Sequence, residues 1–119
     1  MFSNYRDFQA GPDPFGRLWN VQFLWQQNAI SIRHADTIDC KFVVADGVGQ
    51  DEKVVAVPHP LLLNLSKATG EPVSDPWVSK LAAAHLQDMI ISGRDVEKTL
   101  VTMTAADLDR AQQAASRLP

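Results

Sequence analysis

The chain has 119 residues, enough for one ordinary domain and too few for two. Hydrophobic residues make up 45% and charged residues 21%, which excludes a charge-rich disordered chain and predicts a folded core. Eleven Lys and Arg stand against fourteen Asp and Glu, and the lack of a run of either sign argues against nucleic acid, whose binding rests on clustered cations.

Cys40 is the single cysteine and closes no disulfide within the chain, which fits a reducing compartment. The first residues, MFSNYRDFQAGPDPFG, lack a basic start followed by an apolar stretch, and no segment reaches the roughly 18 apolar residues of a membrane span. The expectation is a cytoplasmic protein with neither a membrane nor a nucleic-acid partner.

Residues 1–16 read as an N-terminal arm, and 17–119 as a single α+β domain. In the arm, Phe2, Tyr5 and Phe8 are three apart, before Gly11, Pro12 and Pro14 interrupt regular structure. These aromatics either cap the chain's own core or dock on a second subunit, and they stand as interface candidates. From Leu18 the period is two: Trp19, Val21, Phe23 and Trp25 share one face and Asn20 and Gln22 the other, the pattern of a half-buried strand. Gln26, Gln27 and Asn28 read as a tight connection to a short strand over Ala29–Arg33, with Ile30 and Ile32 inward.

His34 to Thr37 has two readings. As a turn it separates two strands and leaves its polar side chains in water. Alternatively one bulged strand runs on to Val44, with His34, Asp36 and Cys40 on one face; its length exceeds that of ordinary strands, so the turn is the expectation. Ile38, Cys40, Phe42 and Val44 then alternate with Asp39 and Lys41 as a strand. The DGVGQD segment from Asp46 to Asp51 reads as a hairpin loop. It lacks the third glycine and following helix of a phosphate loop, and the alternating oxygen ligands of a calcium loop.

Glu52–Val57 reads as a strand whose consecutive apolar residues, Val54 to Val57, imply cover on both faces. Pro58 and Pro60 end it, and a short helix from Leu61 to Ala68 stops at Gly70. A longer helix spans Pro76 to Ser92, capped by Asp75 and closed by Gly93, with Val78, Leu81, Ala82, His85, Leu86 and Met89 on one stripe. Glu97–Met103 reads as a further strand. Thr104 and Asp107 form a capping box with Asp in place of Glu, opening a last helix with Leu108, Ala111, Ala115 and Leu118 inward.

The fold class is therefore α+β: a four-stranded antiparallel meander from Leu18 to Val57, joined by Glu97–Met103 as a fifth strand, with the helices on one face. No nucleophile, base and orienting group fall together by spacing. The reading is a non-catalytic interaction or binding module acting as a homo-oligomer through a sheet edge or aromatic face, with an unidentified protein or small-molecule partner. Its binding or interface candidates are Phe2, Tyr5, Phe8, Trp19, Trp25 and Trp77.

The alternative is a small hydrolytic or metal-assisted enzyme built on His34, Asp36, His59 and Cys40. Its weak H-x-D-x-x-D pattern of His34, Asp36 and Asp39 sets an imidazole near carboxylates. No metal or other cofactor is expected, because that segment offers few converging ligands. A third option is a small-ligand sensor with its pocket between the sheet and the Pro76 helix; His85 itself reads as a buried histidine kept neutral by one hydrogen bond, or else as lining a pocket with Trp19, Trp25 or Asp88.

Overall fold

The structure is a computed structural model that describes residues 5–29 and 36–116. A five-stranded sheet, ordered β1-β2-β3-β4-β5, comprises β1 (Asp7–Ala10), β2 (Trp19–Ala29), β3 (Thr37–Ala45), β4 (Gln50–Pro58) and β5 (Leu100–Thr102). The first four strands are antiparallel neighbours, and β5 joins β4 in parallel. Helices α1 (His59–Thr69), α2 (Asp75–Ser92) and α3 (Ala105–Ser116) share one hydrophobic core with a single sheet face. The class is α+β.

Part of the expected arm is inside this sheet. Asp7 to Ala10 pair with β2 and bury Phe8 and Ala10, while Asp7 and Gln9 face water. The pairing closes through a loop whose Gly11 has a φ of 121°; a side chain there would stand 2.8 Å from the Arg17 carbonyl oxygen. Asp13 ties the loop internally, accepting the N–H groups of Phe15 and Arg17 at 2.9 and 2.8 Å and the Trp19 indole N–H at 3.0 Å. Thus Trp19 serves its own hairpin.

Within β2, Phe23 faces Phe42 but Trp25 faces Lys41, so Leu24 is an extra residue forming a β-bulge. The bulge reverses the side-chain phase that the sequence suggested for Trp25. That ring lies on the outer face with the Lys41 ammonium 5.5 Å from its centroid, and Gln26 turns inward opposite Cys40. Gln26, Gln27 and Asn28 continue the strand instead of turning. Ala29 pairs with Thr37, so among the described residues the meander between 18 and 57 has three strands, and β1 supplies a further antiparallel one. Ile30 to Arg33 lie outside the described residues.

Ile38, Cys40, Phe42 and Val44 are buried along β3 as their period requires. In β4, Val55 and Val57 point into the core, but no described helix covers Val54 and Ala56 on the other face. They are screened instead by neighbouring strands, because β4 lies between β3 and β5. The same inward phase takes Lys53 into the core, opposite Phe42, where it is only 5% exposed. Its Nζ donates to the carbonyls of Val96 and Lys98 and lies 3.6 Å from Asp51 Oδ2.

Helix α2 is buried nearly all round from Trp77 to Ile90, between the sheet and α3, and Ala82, Ala83 and Ala84 permit that close approach. Its cap is Ser74, whose hydroxyl accepts the Trp77 N–H at 3.4 Å. Asp75, expected in that place, instead occupies the first turn and accepts the Gln26 amide at 3.0 Å. Gly93 ends the helix with a φ of 76°, and a Cβ there would come within 2.8 Å of Pro14, so the β1–β2 loop packs on this helix end. Thr104 and Asp107 make the reciprocal capping bonds at α3, and Leu108, Ala111 and Ala115 are buried. Leu118 lies outside the described residues.

Lys53→Met preserves most of the stem but leaves two loop carbonyls without their donor. Chemical denaturation is expected to show a loss of about 1–3 kcal/mol. Backbone chemical-shift changes should concentrate at residues 94–99; an unchanged spectrum there would contradict the tie.

Candidate functional site

Of the residues first singled out for chemistry, Asp36 and His59 meet through their backbones at the Thr37–Pro58 end of the β3–β4 pair, and Cys40 lies further along β3. His34 lies outside the described residues. Asp36 is exposed, and its backbone carbonyl accepts the His59 N–H at 2.8 Å because Thr37 pairs with Pro58. Cys40 is four residues further along β3, about 13 Å at ordinary strand rise, and its side chain points into the core. Burial pushes the Cys40 thiol up to about 12, where the reactive thiolate is scarce. Its sulfur approaches Gln26 Oε1 at 3.8 Å, an oxygen that also accepts the Ser79 hydroxyl. Asp39 takes the Thr37 hydroxyl at 2.9 Å. Among the described residues, no group of three or more His, Cys, Asp or Glu side chains is placed to hold a metal ion.

The aromatic candidates are dispersed. Phe2 is outside the described residues; Tyr5 packs against the core, and Phe8 belongs to it. The Arg17 guanidinium lies 5.7 Å from the Trp19 ring centroid. Trp77 is 9% exposed and donates its indole N–H to Gln112 Oε1 at 3.3 Å, joining α2 to α3. Of the three Trp residues, only Trp25 belongs to the large hydrophobic side chains left exposed.

A different set converges at the β5 edge, in a cleft of about 490 Å³. Its floor includes His85 and Met89 from α2 and Val101 from β5, while Thr104 and Asp107 come from the start of α3. The α2–β5 loop provides Arg94, Asp95 and Lys98. Lys53 fixes that loop from below through the carbonyls of Val96 and Lys98.

His85 is 8% exposed and makes no hydrogen bond to a described residue. The ring lines the cleft. Burial lowers its pKa below the ordinary 6.5, opposed by the Asp107 and Asp88 carboxylates and assisted by Arg94 and Arg110. At neutral pH the ring is therefore an uncharged donor and acceptor.

The charged walls are internally paired. Arg94 Nη2 lies 2.9 Å from Asp88 Oδ2, Lys98 Nζ lies 3.2 Å from Asp95 Oδ1, and Arg110 bonds Asp107. Arg94 and Lys98 balance Asp95 and Asp107 in the lining, which suits a partner recognised by hydrogen bonds more than one recognised by net charge. The sequence signalled His85 and the Thr104–Asp107 cap separately. It gave no sign that an edge strand would bring them together.

No family model matches the chain, and no curated protein or solved structure matches it either. None of the described helices is long and apolar enough to cross a membrane.

Below pH 6.5 the unfolded chain takes up a proton at His85 that the folded protein resists, so stability falls until the lowered folded pKa is passed. The carboxyls of Asp13, Asp46 and Asp107 are held below 3.8, so their stabilisation is lost in a more acidic range. Urea unfolding between pH 7.5 and 5 should show a smaller drop for His85→Leu than for wild type; parallel curves would contradict the neutral buried ring.

Proposed function

We propose that the protein is a non-catalytic binding domain and that the cleft beside β5 is its binding site. The observation supporting this is His85: an almost buried imidazole facing a cleft without a hydrogen-bond partner among the described residues. Buried polar groups are ordinarily satisfied, so such a ring offers a bound molecule both a donor and an acceptor. Neither Ser nor Cys lines the cleft, and the Thr104 hydroxyl is engaged in capping α3. This chemistry favours binding over covalent catalysis. The reading based on His34, Asp36, His59 and Cys40 has less support because the Cys40 thiol is buried and protonated.

The binding test uses a set of small polar fragments bearing amide, imidazole or carboxylate groups. Titration should shift the His85 ring resonances saturably, and His85→Leu should weaken the best fragment at least about tenfold, or about 1.4 kcal/mol. Fragments that bind elsewhere and leave His85 unmoved would overturn the assignment.

Self-association is the second reading, favoured by the outer sheet face. Register aligns Trp25, Lys41, Val54 and Leu100 across β2 to β5, and the bulge adds exposed Leu24 beside them. A face of these five strands is on the order of 600 Å², somewhat below the roughly 800 Å² each partner buries in a standard interface. Sedimentation velocity should show a dimer at tens of micromolar concentration, and Trp25→Glu should yield a folded monomer. A monomeric wild type throughout that range would rule this out.

A further inference from the structure

We infer that the cleft accepts an extended peptide segment, which adds to the free edge of β5 as another strand. This deepens the binding proposal and rests on the cleft being the binding site.

The hydrogen-bond phase of β5 provides the first argument. Val54 N–H donates to Thr99 O at 2.8 Å, and Met103 N–H donates to Ala56 O at 2.9 Å. With the parallel register of Val54 to Leu100 and Ala56 to Thr102, this directs the peptide groups of Val101 toward β4. Alternation then directs the N–H and C=O of Leu100 and Thr102 away from β4. β5 is the last strand in the sheet, and neither residue has a further hydrogen bond among the described residues. These are main-chain groups on an open edge, beside a cleft that Leu100 and Thr102 themselves line.

A peptide strand satisfies that row of donors and acceptors in a way that a compact ligand does not. Residues directly opposite in paired strands present their side chains on the same face. The peptide residue beside Val101 therefore points inward toward His85, Thr104 and Asp107, while its neighbours follow Leu100 and Thr102 outward. The main chain supplies affinity, and His85 selects a side chain that hydrogen-bonds. This assigns the His85 imidazole a recognition role and the open strand edge a partner.

The test uses positional-scanning pools of hexapeptides, acetylated and amidated at their ends, alongside the same residues as singly capped amino acids. Hexapeptides should bind at least about tenfold more tightly than single residues, shift the His85 ring resonances, and prefer Ser, Thr, Asn or Gln at one position. They should also slow amide exchange at Leu100 and Thr102. Backbone N-methylation of the best peptide should reduce affinity at least tenfold at alternate residues and leave the intervening residues nearly unchanged.

Leu100→Pro removes an outward N–H while sparing the β4 ladder, and should reduce affinity similarly with little change in Tm. If that variant does not fold, N-methylation still decides the question because it leaves the protein unaltered. Small fragments that move His85 while hexapeptides do not bind would overturn the peptide inference and leave the binding-site proposal standing. Equal tolerance of N-methylation at every residue would likewise overturn strand addition. Neither fragments nor peptides reaching the cleft would overturn both.

Discussion

The seating of α2 on the sheet depends on Leu24, the residue by which β2 exceeds its partner. Without that bulge the period of two would send Trp25 into the layer occupied by α2 and turn Gln26 toward solvent. With it, the smaller Gln26 reaches Asp75 and Ser79 on the first turns of α2, and the helix lies close across the strands. These directional polar contacts then fix a helix face whose alanines alone would tolerate sliding. Trp25, displaced outward, gives the opposite sheet face its largest apolar side chain.

Lys53 performs a related service at the other end of β4. A buried ammonium is costly unless its donors are used, and here carbonyls from the α2–β5 loop accept them. The loop therefore leaves α2 at a left-handed Gly93, packs against Pro14, crosses above Lys53 and arrives in register beside β4. The loop side of the cleft is thus tied to the sheet from beneath by Lys53. His85, by contrast, sits on the most deeply buried helix and lines the cleft from there.

Much of the fold was legible where one local rule governs. The alternation through Ile38 to Val44, the Thr104–Asp107 cap and the Gly70 and Gly93 helix ends all follow from chemistry within a few residues. The remainder was set by partners distant in sequence. Phe8 and Ala10 form too short an alternation to announce β1 before a glycine and prolines, and only pairing with Val21 and Trp19 makes it a strand. No local signal distinguishes a bulge at Leu24 from a continuous strand. A lysine in a strand reads as solvent-facing, yet the phase that buries Val55 and Val57 buries Lys53 too. The cleft shared this fate: His85 was visible as a polar residue on an apolar stripe, but its neighbours come from the parallel edge strand and the following helix.

The parallel pairing of β5 has a consequence for the order in which the molecule is assembled. Strands β1 to β4 meet through successive antiparallel connections, whereas Val54 finds Leu100 only after the chain has traversed α1 and α2. Closing that long loop costs entropy that is recovered when α2 has docked, so the β5 edge belongs to the late part of folding. A partner held on this edge binds only chains that have completed the crossover. If the proposed peptide binds there, its occupancy opposes detachment of the C-terminal third and couples it thermodynamically to the earlier hairpins.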